Sequence, residues 1–141
     1  MAFVYERKVR FEDVDAATIV FFPRVLAYCH EAMAELVDRH AGGYSSWVVE
    51  RRIGLPTVHL EVDFTSPLRF GDVARVAVDV ERLGTSSCTF AMTVSRAADG
   101  APVAKVKLVT VATDLSAMRS LPFPAPLRRA LEAYATRLTP A

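Results

Sequence analysis

The chain has no long apolar run. Its hydrophobic stretches are broken by charges within about eight residues, far short of the ~20 needed to cross a bilayer. It also lacks a charge excess, with 17 Lys plus Arg against 16 Asp plus Glu, so bulk attraction to nucleic acid or to an anionic membrane is not expected. Cysteine is scarce: Cys29 and Cys88 stand far apart, without a CxxC or a His-rich neighbourhood. That excludes a disulfide framework and a structural zinc site, and predicts two buried thiols. The N-terminal MAFVYERKVRFEDVD carries charges where a secretory signal needs a continuous apolar run, so the expected address is cytosolic. Internal repeats, low-complexity tracts and linkers are absent as well, and 141 residues suit one domain spanning 1–141. No G-x-S-x-G elbow occurs to suggest a serine nucleophile.

What is present is a change of period. Residues 3–11 alternate loosely as a strand, ended by the acidic stretch Glu12-Asp13-Val14-Asp15. Pro23 has the φ suited to a first helical turn. From there Leu26, Cys29, Met33, Leu36 and Val37 recur at helical spacing, up to a stop at Gly42-Gly43. Alanines at 27, 32 and 34 keep that helix slim, so a sheet could wrap it closely. YSSWVVERRIG (44–54) reads as a helical turn. Beyond Leu55 the period falls to two, with strands expected over 57–66, 73–82, 86–96 and 102–114, the last two forming a hairpin. A closing helix near 125–138 follows, with Leu127, Ala130, Leu131, Tyr134 and Leu138 on one face. Strand, long helix, then four strands with short connections is an α+β order with a mainly antiparallel sheet. Small or apolar residues on both strand faces (Ala77, Ala91, Val109, Val111) predict a second sheet face that is not fully wet. Either that face or the edge of strand 57–66 would then be shared with another copy.

The candidate chemistry lies where Glu12, Asp13 and Asp15 crowd the start of the long helix. Free N–H groups at a helix N-terminus can hold a carbonyl oxygen or oxyanion, and a neighbouring carboxylate can attack a carbonyl or activate water. The commoner role of acids at that place is only to favour the helix dipole.

The run VRFEDVDAATIVFFPRVLAYCHEAM (9–33) resembles the N-terminal signature of the 4-hydroxybenzoyl-CoA thioesterase family of hotdog-fold proteins. An Arg/aromatic pair, a D-x-D element, an apolar loop and an aromatic-Pro-Arg entry lead into the central helix. LPTVHLEVDFTSPLRFGDVARV (55–76) continues the likeness through its Pro-x-x-x-Gly-Asp landmark. The resemblance implies a hotdog fold, a curved five-stranded antiparallel sheet around the long helix, and hydrolysis of an aromatic or short- to medium-chain acyl-CoA. In that family the position of Asp15 is the catalytic carboxylate, acting as nucleophile or general base, and the backbone N–H at Phe22 polarises the thioester carbonyl. Asp13 is implied to fix the loop. Thr18 stands where the family usually has glycine, and at a position of positive φ it would be costly, so a different loop is expected.

Ile19, Val20, Phe21 and Tyr28 would then line the acyl pocket, with Trp47 as a lid. The CoA phosphates would need cations, for which Arg82, Arg96, Lys105, Lys107 and Arg119 on the late strands are available. Other hotdog thioesterases use a helix carboxylate, a role open to Glu31, whose commoner place is in a surface ion pair. His30 and His59 are expected at the surface or an interface. Neither a metal nor a redox cofactor is implied. A homodimer or homotetramer with the active site at the dimer interface is expected. An acyl-carrier protein in polyketide or fatty-acid metabolism is the alternative bearer of the thioester, and a hotdog dehydratase or a non-catalytic acyl-CoA binding module are the other readings.

Overall fold

The computed structural model describes residues 2–135. Strand β1 (Phe3–Lys8) leads through a 3-10 turn (Phe11–Asp13) to helix α1 (Phe22–Ala41) and a single π-helical turn (Ser46–Glu50). Strands β2 (Ile53–Gly54), β3 (Thr57–Phe64), β4 (Val73–Leu83), β5 (Ser87–Arg96), β6 (Pro102–Val111), β7 (Thr113–Asp114) and β8 (Arg119–Ser120) follow, and helix α2 (Ala125–Glu132) comes last. Five strands form an antiparallel sheet in the order β1-β4-β5-β6-β3, and a small second sheet runs β2-β7-β8. This is the expected hotdog arrangement of a long helix laid on an antiparallel sheet. Among the described residues no helix is long and apolar enough to cross a membrane.

Alternation along β4 and β5 sends Ala74, Val76, Val78, Val80, Cys88, Phe90, Met92 and Val94 inward, where they are buried. Against them α1 turns Val25, Tyr28, Cys29, Ala32, Met33, Leu36 and Val37, spaced three and four apart as one helical face requires. Gly42 ends α1 in the left-handed conformation at φ 82°, where glycine has no Cβ to clash. Cys29 and Cys88 are both buried free thiols, and burial alone pushes the Cys29 thiol up to about 12.

Several boundaries differ from the sequence expectation. The first strand stops at Lys8, because Val9 donates to Asp72 O at 2.8 Å and the chain then coils into the 3-10 turn. The last strand breaks at Ala112, whose amide turns to Ser86 O, and Thr113–Asp114 join the small sheet. The closing helix covers Ala125–Glu132; Leu138 lies outside the described residues.

The outer sheet face is more polar than expected. Glu6 stands opposite Arg75, Asp63 opposite Lys105 and Glu61 opposite Lys107, while Lys107 also reaches Glu81 at 3.7 Å. Ala77, Ala91, Val109 and Val111 are only half-buried among these pairs. The open apolar surface lies along β3. Helix α1 packs on β1 and β4, so Val58, Leu60 and Phe64 on the opposite sheet edge remain exposed.

Candidate functional site

The loop between β1 and α1 is a tight hairpin closed by the Val14–Val20 bridge. The Asp15 amide donates to Ile19 O at 3.0 Å and the Thr18 amide to Asp15 O at 2.9 Å. The Asp15 side chain accepts the Ala17 amide on Oδ1 at 2.8 Å, an Asx-type turn that leaves Oδ2 without a protein donor among the described residues. Asp15 is exposed in the protomer.

Thr18 does adopt positive φ, at 67°. The loop therefore keeps the left-handed turn that glycine would make easy, and a β-branched residue carries the strain, about 1–2 kcal/mol for an L-residue. Thr18→Gly removes that strain at the cost of extra unfolded-chain entropy. We expect a net gain of roughly 0.5–1 kcal/mol in urea unfolding; a loss of stability would show that Thr18 is not strained.

Asp13 anchors the hairpin from beneath. Its carboxylate is fully buried, and Oδ2 accepts the Tyr28 hydroxyl at 2.7 Å, the Arg10 amide at 2.9 Å and the Arg7 guanidinium at 3.1 Å. Its backbone oxygen takes the Phe21 amide at 2.9 Å, tying the loop to the start of α1. Oδ1 lacks a hydrogen bond and faces Arg24 Nε at 3.7 Å. Burial works against the Asp13 charge, but the Arg10 amide, the Tyr28 hydroxyl and the two arginines outweigh it and hold the carboxyl below its ordinary value. Arg7 also binds Glu31 at 3.0 Å, and Glu31 accepts the Tyr5 hydroxyl at 2.8 Å. Burial and the Glu31 contact push the Tyr5 hydroxyl up to about 12.

Phe22 opens α1 beside Pro23, which has no N–H, and Arg24 donates to Phe21 O at 2.8 Å. The Phe22 amide is thus left as an unpaired donor at the positive end of the helix dipole, with no acceptor among the described residues. Next to it lies a cavity of about 300 Å³ walled by Ile19, Val20, Phe22, Val25, Phe64 and Leu68, with Thr65, Ser66, Pro67 and Val103 completing it. The Phe22 and Phe64 rings meet edge to face at 6.4 Å between centroids. The walls carry no charged side chain. Their side-chain polar groups are the hydroxyls of Thr65 and Ser66, the latter donating to Pro102 O.

The residues singled out from sequence divide into two groups. Ile19, Val20 and Phe22 come together at this cavity, Phe21 stacks against Phe22 at 5.3 Å, and Asp15 sits on the adjoining hairpin without forming part of the wall. Tyr28 instead lies in the core under Asp13. Trp47 is buried at the far end of α1, its indole donating to Ala41 O at 2.9 Å and its ring capped by the Arg51 guanidinium at 4.2 Å. Arg96 is near the cavity end of the sheet but bonded to Asp99 at 3.1 Å. Arg82 lies at the other end of β4, nine residues and roughly 30 Å of strand beyond Val73. His30 stacks edge-on with Tyr44, and His59 pairs with Glu61 at 3.4 Å on the exposed edge strand. Among the described residues no three His, Cys, Asp or Glu side chains converge as metal ligands would.

Arg7 was missed from sequence, although a signal exists. Alternation along β1 places Phe3, Tyr5 and Arg7 on the inward face, and an arginine at an inward position requires a buried counter-charge.

A family model described as the thioesterase-like superfamily matches residues 9–131. A 1,4-dihydroxy-2-naphthoyl-CoA hydrolase of Nostoc punctiforme is 34% identical over 97 residues, covering 67% of this chain. The chain spans just under two thirds of that relative's length, 66%. Among solved structures, a 1,4-dihydroxy-2-naphthoyl-CoA thioesterase from Synechocystis superposes with a TM-score of 0.85 at 26% identity, covering 93% of this chain and 96% of that one. A gentisyl-coenzyme A thioesterase superposes with a TM-score of 0.79 at 26% identity, over 91% and 98%.

Proposed function

Because the chain belongs to the thioesterase-like superfamily, we propose that it hydrolyses an acyl-CoA thioester, with water adding to the carbonyl carbon and the thiol of CoA leaving. The observation that carries this reading is the unpaired Phe22 amide at the head of α1, opening beside an uncharged cavity. A thioester carbonyl placed there gains its oxyanion stabilisation from a fixed backbone donor and the helix dipole. Asp15, with one oxygen held by Ala17 and the other open, is the carboxylate for the reaction. It either attacks the carbonyl carbon, forming a mixed anhydride that water cleaves, or takes the proton from an attacking water.

The acyl group is aromatic or of short to medium chain length. The relatives are named for naphthoyl-CoA and gentisyl-CoA, and a cavity of about 300 Å³ with an edge-to-face Phe22–Phe64 wall suits one or two rings. The test is release of CoA from a panel of benzoyl-, naphthoyl-, hexanoyl- and palmitoyl-CoA. Turnover of the aryl substrates above palmitoyl supports the reading, and no hydrolysis of any of them rejects it.

A second copy beside the site belongs to this proposal, a reading supported by the exposed apolar side of edge strand β3, which leaves the surface around Phe64 open to water. Leu60→Lys on that edge is expected to convert the assembly to monomers in light scattering and to abolish turnover. An unchanged mass would remove β3 from the interface.

A further inference from the structure

A cationic aromatic platform stands beside the hairpin. Phe11 and Phe70 are 77% and 60% exposed and meet edge to face at 6.0 Å. Neither ring helps to fill the core, and both are held in place by backbone bonds. The Arg69–Asp72 turn is closed by Asp72 N to Arg69 O at 3.0 Å and by Arg69 N to Asp72 Oδ2 at 2.8 Å, with Gly71 at φ 91°. Gly71 in turn donates to Val9 O at 3.3 Å, which fastens this turn to the 3-10 turn bearing Phe11.

Each phenylalanine has an exposed arginine next to it in sequence, Arg10 and Arg69, and among the described residues neither makes an ion pair. The late-strand cations are differently placed, since Arg96 is bonded to Asp99 and Lys107 reaches Glu81. The segment Leu68-Arg69-Phe70 also connects the platform to the cavity. Leu68 lines the cavity wall and accepts the Val20 amide at 2.8 Å, and Arg69 bridges to Ile19.

We propose that Phe11, Phe70, Arg10 and Arg69 form the seat of the adenine nucleotide of the CoA thioester. The purine stacks on the exposed rings and the phosphates meet the two guanidiniums, while the pantetheine arm passes Leu68 into the cavity. Stacking on an aromatic side chain suits any purine face, and a planar guanidinium suits phosphate oxygens. Glu12, exposed on the same 3-10 turn, is the nearby carboxylate the phosphates must avoid. This inference rests on the acyl-CoA reading of the cavity.

Calorimetric titration of CoA and of adenosine 3′,5′-bisphosphate into the full chain tests it independently of turnover. Phe70→Ala and the double variant Arg10→Gln/Arg69→Gln are each expected to weaken CoA binding about tenfold, and Glu12→Gln to tighten it. Both rings lie outside the core, so the circular dichroism of Phe70→Ala should match wild type; Phe11→Ala provides a second measure of the same stack. In kinetics, the ratio of kcat/KM for benzoyl-CoA to that for benzoyl-pantetheine, which lacks the nucleotide, should fall by the same factor in Phe70→Ala. Equal CoA affinity in wild type and all variants overturns the proposal. So does a change of oligomer mass in Phe70→Ala, which makes the platform a contact between copies. A loss seen only with an acyl-carrier-protein substrate overturns it too, since the platform would then be a docking face. If wild type hydrolyses neither thioester while the variants still lose CoA affinity, the hydrolase reading fails and the nucleotide seat stands.

Discussion

Asp15→Asn is expected to lower kcat for the preferred acyl-CoA by at least about 10²-fold while changing KM little, since a positioned general base or nucleophile contributes about 10²–10⁴. The substitution preserves the Asx turn, because the amide oxygen of asparagine can still accept the Ala17 amide that Asp15 Oδ1 accepts at 2.8 Å. Loop geometry and stability should stay near wild type, and only the proton-accepting or nucleophilic oxygen is lost. Hydrolysis within tenfold of wild type, a barrier change of about 1.4 kcal/mol, would move the chemistry elsewhere. Glu31 is poorly placed to take it over, since it stands nine residues along α1 from Phe22, is tied to Tyr5 and Arg7, and does not line the cavity.

The second large effect is on folding. Asp13→Ala would leave the Tyr28 hydroxyl and the Arg10 amide without their acceptor and take one of two carboxylates from Arg7, whose side chain is only 11% exposed. Breaking a buried pair in this way costs about 3–5 kcal/mol, which should appear as a clear drop in Tm and in the urea midpoint. A loss below about 1 kcal/mol would mean that the cluster contributes little. The same carboxylate sets a pH dependence. Its folded pKa lies below the ordinary value of 3.8, so the stability it contributes is present above that value and is lost as pH falls through the lower, folded one. Asp13→Asn should therefore flatten the acid limb of the stability curve below about pH 4 and have much less effect on its slope near neutrality.

These two aspartates differ in how readable they were. Both stand in a single D-x-D element, and the resemblance assigned Asp15 to chemistry and Asp13 to the loop. For Asp13 the tertiary structure supplies the partners: Tyr28 comes from fifteen residues away along α1 and Arg7 from the end of β1. Tyr28 carries the right spacing for a residue facing the loop, yet the same spacing is that of the core face, and here the core takes it. Trp47 is ambiguous in sequence for a similar reason. A lone tryptophan in a short segment between elements reads equally as a lid or as a plug, and only the Ala41 carbonyl at the end of α1 decides between them.

The cations show the same division. Those visible along the late strands are the obvious anion partners, but the register sets Lys105 opposite Asp63 and Lys107 opposite Glu61 on the neighbouring strand, and Arg96 is bonded to Asp99. Arg10 and Arg69 lie in turns 59 residues apart, and nothing in the spacing of either turn indicates that Val9 and Gly71 share a hydrogen bond.

The sequence by itself determined the long helix and its end at Gly42, the alternating strands and their order, and the family signature around Asp15 and Phe22. All of these are carried by neighbours within a few residues, through helical and strand periodicity and turn chemistry. Only the tertiary structure decided that Asp13, Arg7 and Tyr28 form one buried cluster, that a cavity opens beside the Phe22 amide, and that β3 keeps its apolar side exposed. Each of those depends on chain segments distant in sequence meeting at a particular register and depth, and local patterning does not encode such contacts.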